Sequence, residues 1–196
     1  MTELNTQNVR KIFKTQMFLV FAALVGLMIA LPAQAQAAPI VLTPFGQSPD
    51  ATMVKVVLKK AKVKGRLDKM LQGSGLNDEK ALIVVVGGSS KGMGAAGIKK
   101  DEEIERVKNL IAAARDKGIK ILVMHIGGKG RRGKLSDQFI TEAMPLADKI
   151  IIVEGSDHDG LISNLVKEKG IEILTAPGVR GCTEPLKVVL TQWGII

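Results

Sequence analysis

Residues 82–86, Leu-Ile-Val-Val-Val, are five apolar positions in a row with no polar interruption. Strict alternation would mark a sheet with one wet face. A continuous, mostly β-branched run instead demands cover on both faces, as in a parallel sheet sandwiched between helices. The run empties into Gly87-Gly88-Ser89-Ser90-Lys91-Gly92-Met93-Gly94-Ala95-Ala96-Gly97. In such a loop the missing side chains let backbone N–H groups come close to an anion.

The rest of the chain repeats the same alternation. Further strand-like runs cover 40–43, 119–124, 149–153 and 171–174. Between them lie helical patterns. Ser48, Pro49 and Asp50 read as an N-cap, a proline at the first helical position and an acid in the first turn. Met53, Val54, Val57, Leu58 and Ala61 then follow at helical spacing. Asp101 reads as the cap of a helix over 102–117, with Ile104, Val107, Leu110, Ile111 and Ala114 as its apolar stripe. Further helices are expected over 135–144, around 161–166 and from Thr183 to near Trp193. Residues 59–80, rich in lysine and glycine, read as an exposed connection with one helical turn near 67–71. This pattern predicts a single three-layer α/β domain with a five-stranded parallel sheet, flavodoxin-like or Rossmann-like, in the order 2-1-3-4-5.

The amino terminus has a different character. Arg10, Lys11 and Lys14 precede an uncharged apolar run over 17–31, and Pro32 breaks it. Ala33-Gln34-Ala35 and Ala35-Gln36-Ala37 offer small-x-small cleavage positions. This is the layout of a signal peptide, shorter than the roughly 20 residues a spanning helix needs. Residues 1–37 are therefore expected to be a signal segment and 38–196 the α/β domain. The expected location is periplasmic or extracellular, with an uncleaved anchor as the alternative and no stable membrane span after cleavage. The whole chain carries a net charge of +9; losing three basic residues and Glu3 leaves about +7. Cys182 is the one cysteine, so stability has to come from packing and not from an internal disulfide. With no tyrosine and only Trp193, the chain lacks stacking platforms for nucleic acid, which is not an expected partner.

In open α/β sheets, ligands bind beyond the carboxyl ends of the strands. That rule selects Gln47 and Ser48 after the first strand, and Gly87, Gly88, Ser89, Ser90 and Lys91 after the second. After the third come His125, Gly127, Gly128, Lys129, Arg131 and Arg132. Two glycine-rich basic turns at one edge point to an anion site, with the cations sharing a mouth and Arg180 joining if its loop reaches. A solvated, mobile basic loop is the plainer reading of 128–133. His125 fits a packing histidine, a proton-transfer group or a phosphate ligand, the first being favoured. His158 between Asp157 and Asp159 matches no standard metal spacing, and Asp157 is equally explained as a helix cap. No metal or other cofactor is expected. A dinucleotide is disfavoured because the glycine loop follows the second strand, Asp101, Glu102 and Glu103 crowd the next helix start, and there is no tyrosine to serve a short-chain dehydrogenase.

The segments 86–98 (VGGSSKGMGAAGI), 124–137 (MHIGGKGRRGKLSD) and 45–57 (FGQSPDATMVKVV) resemble an uncharacterised bacterial family catalogued only as a domain of unknown function. The resemblance implies an exported α/β domain and supplies no activity and no functional residues. The expected function is binding of a small anionic ligand, a carboxylate or phosphate ester, at the carboxyl edge of the sheet. The alternatives are an exported hydrolase or transferase with His125 as base, and an accessory protein docking an envelope partner or membrane component.

Overall fold

All strands of the sheet run in one direction, and its central ones are buried on both faces. The computed structural model describes residues 38–196; the expected signal segment and its cleavage positions lie outside the described residues. The strands are β1 (Ile40–Phe45), β2 (Gly65–Leu67), β3 (Ala81–Val86), β4 (Lys120–His125), β5 (Lys149–Val153) and β6 (Glu172–Ala176). They form one six-stranded parallel sheet in the order β2-β1-β3-β4-β5-β6. The helices are α1 (Asp50–Lys60), α2 (Ser90–Ala96), α3 (Lys100–Asp116), α4 (Lys134–Ala143), α5 (Leu161–Val166) and α6 (Thr183–Gln192).

The double burial of β3 follows from its residues. Leu82, Val84 and Val86 face a core shared with Val107, Leu110 and Ile111 of α3 and with Phe139 and Ile140 of α4. Ala81, Ile83 and Val85 face the opposite core, with Val54, Val57 and Leu58 of α1 and Leu186, Val189 and Leu190 of α6. Burying each of these larger aliphatic side chains contributes about 1.5–3 kcal/mol, so a run of this kind has no stable place at a wet surface. Phe45 and Phe139 pack as a tilted aromatic pair in the first core, with centroids 5.1 Å apart and ring planes at 59°.

Two stretches, 59–80 and 87–97, fold otherwise than the sequence pattern predicts. The sheet has six strands and not five, because the supposed connection over 59–80 contains β2, an edge strand paired with β1 from Ile40↔Gly65 to Leu42↔Leu67. At three residues, Gly-Arg-Leu, it has no apolar run to announce it. The helical turn expected near 67–71 is absent, and a 3₁₀ turn forms instead at Gly73–Gly75. With β2 in place the whole sheet has the flavodoxin-like order. The five expected strands, however, lie in simple sequential order, with β3 between β1 and β4 and not at the edge.

The second correction concerns the glycine-rich stretch. The sequence predicts loop up to a cap at Asp101. Instead Ser89 caps α2 by accepting the Gly92 N–H at 3.0 Å, so a helix begins directly after the loop. Gly97, at φ 65°, ends α2, and α3 starts separately at Lys100, where the Glu102 carboxylate accepts the Lys99 N–H.

β1 leads into α1 on one face, toward the β2 side. β3 leads into α2 and α3 on the other face, toward the β4 side. The chain therefore diverges between the carboxyl ends of β1 and β3. This is the topological switch point, where departing loops leave a crevice. No helix among the described residues is long and apolar enough to cross a membrane.

Candidate functional site

The turn after β1 is held in an uncommon conformation. Gly46 has φ 92° and Gln47, with a side chain, has φ 55°. A left-handed glutamine costs energy and persists only where its surroundings fix it. Here they do. Glu103 Oε1 accepts the Gly46 N–H at 2.9 Å and the Gln47 amide at 3.1 Å, and Gln47 Nε2 also donates to the Lys69 carbonyl at 3.0 Å. Gln47 bridges to Gly88 across the gap, and the Ser89 N–H donates to the Gly46 carbonyl at 2.8 Å. The β1 and β3 turns are thus locked backbone to backbone. A Cβ at Gly92 would sit 2.1 Å from the Gln47 carbonyl oxygen, so only glycine allows α2 to approach this turn.

The sequence places Glu103 among three acids that crowd a helix start. The structure turns it inward instead. Its side chain is sealed and paired with Arg106, whose Nε and Nη2 donate to it at 2.8 and 2.9 Å. Arg106 gives its remaining donors to Thr43, the Pro44 carbonyl and the Leu71 carbonyl. The pair is a satisfied buried network and not part of the ligand surface.

Above this support lies a cleft of about 450 Å³. Gln47, Ser48 and Pro49 form one wall, Ser89, Lys91, Gly92, Ala95 and Ala96 the other, and Lys69 and Met70 close one side. Its lining contains two lysines and no carboxylate. Ser48 Oγ accepts the Asp50 N–H at 3.2 Å and Ser89 Oγ accepts the Gly92 N–H. Each hydroxyl therefore keeps its own proton for a partner. Gln47 contributes wall and shape; its amide is already spent below.

The remaining expected site residues take other roles. The amides of Gly87, Gly88 and Ser89 do not face an anion. They donate to the Phe45 carbonyl, to Ser136 Oγ and to the Gly46 carbonyl. Ser90 is exposed at the start of α2 and is not part of the lining. β3 and β4 are parallel neighbours, so their turns do share one edge, yet their cations do not share one mouth. Arg132 is a structural residue with 3% side-chain exposure, donating to Asp137 at 2.6 Å, to Asp159 at 2.9–3.0 Å and to the Ser156 carbonyl. Lys129 lies beside Gly155, and Gly128, at φ 60°, packs near Val153. Arg131 lays its stem over Gly127, where a Cβ would be 2.2 Å from its own, and points toward Asp50 at 3.9 Å. Asp50 Oδ2 is buried without a partner in the niche between Gly87 and Gly127.

His125 is fully buried. Its Nδ1 lies 3.0 Å from the Val86 carbonyl, which can only accept, so Nδ1 donates, and Nε2 is buried without a partner. It is a packing histidine in this geometry and does not reach the cleft. Asp157 caps α5 through the Ile162 N–H at 2.7 Å and the Ser163 N–H at 3.1 Å. Burial pushes the Cys182 thiol up to about 11, which leaves it protonated and unreactive at neutral pH.

Lys69 is the one charged residue of the cleft lining outside the sequence expectation. It sits in a lysine-rich stretch, and only the tertiary bond from Gln47 to its carbonyl brings it to the switch point. No local signal marks it.

The chain belongs to the family of domain of unknown function DUF6305, whose model matches residues 37–190. No curated protein matches it. Among solved structures it is similar to AlinE4, an SGNH-hydrolase family esterase, and to a mutant of that esterase. Each is 12% identical, with 81% of this chain and 96% of the other covered at a TM-score of 0.29. Nothing about the chemistry of this chain follows from a likeness at that level.

Proposed function

We propose that this is an exported domain that binds a small anionic ligand, a carboxylate or a phosphate ester, in the cleft between the β1 and β3 turns. The observation that carries the reading is the composition of that cleft. Lys69, Lys91 and the hydroxyls of Ser48 and Ser89 offer donors, and no carboxylate lines it. A crevice whose charged lining residues are both lysines, with no carboxylate, favours a ligand that brings negative charge. Its position at the switch point adds a second, independent reason. The layout of residues 1–37 supports export.

This reading differs from the sequence expectation in its residues. Lys69 joins Lys91 as a charge-neutralising group, while Arg132 and His125 drop out. Catalysis with His125 as base lacks geometric support because the ring is sealed. A thermal-shift series with inorganic phosphate, glycerol phosphate and citrate tests the reading. At a hundredfold excess over Kd, binding stabilises by about 2.7 kcal/mol, about 5–10 °C for a domain of this size. A saturable rise that disappears in Lys69→Gln/Lys91→Gln supports the reading. The absence of any rise with all three anions contradicts it.

A further inference from the structure

At the end of the sheet where the strands begin, a second groove of about 590 Å³ runs between the outer face of α1 and the edge strand β2. We propose that this face docks onto an anionic phospholipid bilayer. Its lining includes Val56 and Val63 with Lys55, Lys59, Lys62 and Lys64 around them, and contains no acidic residue. Val56 is 54% exposed and Met53, one helical turn before it, is 47% exposed. α1 is therefore apolar on two sides. Val54, Val57 and Leu58 face the core, while Met53 and Val56 face outward.

The lysines carry charge that no carboxylate among the described residues pairs with. Arg66, at the edge of the groove, is committed to Glu79 at 2.7 Å and Asp68 at 3.3 Å. Lys55, Lys59, Lys62 and Lys64 form no ion pair among the described residues. Lysine stems lie along apolar surface while their heads reach outward. An apolar strip ringed by unpaired ammonium groups matches the layered chemistry of an anionic membrane surface, with headgroup phosphates outside and acyl carbon beneath.

Other occupants fit less well. A small soluble anion would satisfy the lysines but leave the apolar strip wet. A second copy of this chain would bring the same four lysines against themselves, a like-charge contact at a self-complementary interface. The inference is independent of the anion cleft, which lies at the opposite end of the strands.

The test uses the full chain with Val56→Cys carrying an environment-sensitive fluorophore. Labelling is selective because Cys182 is 0% exposed. The fluorophore should shift to the blue and be quenched by a lipid-borne nitroxide on phosphatidylglycerol-containing vesicles, and should respond little on pure phosphatidylcholine. Replacing Lys55, Lys59, Lys62 and Lys64 by Gln, or raising the salt, should reduce this engagement roughly tenfold or more. A label at Glu168→Cys, beside the opposite edge of the sheet, should stay in water. Any of three results overturns the proposal: no response at Val56→Cys on anionic vesicles, an equal response on neutral ones, or a response that survives loss of the lysines. Binding of an acidic protein to this face with no response to vesicles would also overturn it.

Discussion

Glu103 and Arg106 are sealed against each other, 0% and 4% exposed, directly beneath the turn that presents Ser48. Removing either partner leaves a buried charge unpaired. Glu103→Ala or Arg106→Ala should each cost about 3–5 kcal/mol in urea unfolding. Joint replacement by Leu and Met should cost much less than the sum of the two, because no orphan charge remains. Additive losses would mean that the pair is not a unit.

Two glycines of one helix should respond in opposite ways. Gly92→Ala places a Cβ 2.1 Å from the Gln47 carbonyl oxygen, against backbone that is itself pinned. It should destabilise by about 1–3 kcal/mol, as overpacking does, and disturb the cleft. Gly94→Ala meets nothing within 4 Å and lies in the same helix. It should stabilise by up to about 1 kcal/mol through helix propensity and chain entropy. Paired thermal unfolding curves of the two variants check this contrast.

Acid sensitivity should trace in part to the clamp around Arg132. Its hydrogen bonds hold the Asp159 carboxyl down at about 2, against an ordinary value of 3.8, with the Leu161 N–H assisting. A carboxyl with a depressed folded value binds protons more readily when unfolded. Its contribution is therefore complete above pH 3.8 and is lost as pH falls toward about 2. Denaturation midpoints of wild type and Asp159→Asn should differ near neutrality and converge across that window. Parallel curves down to about pH 2 would show that the pair carries no linkage.

The fold was legible where burial dictates sequence. Residues 82–86 announce a doubly covered strand because a short, mostly β-branched apolar run needs cover on both faces. The stripe from Ile104 to Ala114 announces its helix through burial as well. β2 was not legible, since Gly65, Arg66 and Leu67 earn their place by pairing with an edge and not by being buried. Its omission also misplaced β3 in the sheet.

The site was legible at the level of which edge and which turns, because a parallel sheet sends its loops one way. Within those turns, charge alone misled. Arg131 and Arg132 are adjacent in sequence, yet the first is half exposed and the second clamped between Asp137 and Asp159. The acids that decide this lie 5 and 27 residues further along the chain, beyond the reach of any local pattern. A glycine at 92 suggests room for an anion, yet the space admits the Gln47 carbonyl.

Amide chemical-shift mapping during a titration with inorganic phosphate tests the placement of the anion site most directly. The cleft account predicts saturable shifts centred on Ser48, Lys69, Ser89, Lys91 and Gly92, and their loss in Lys69→Gln/Lys91→Gln. Shifts centred on Lys129 and Arg131, or none that saturate, would contradict it.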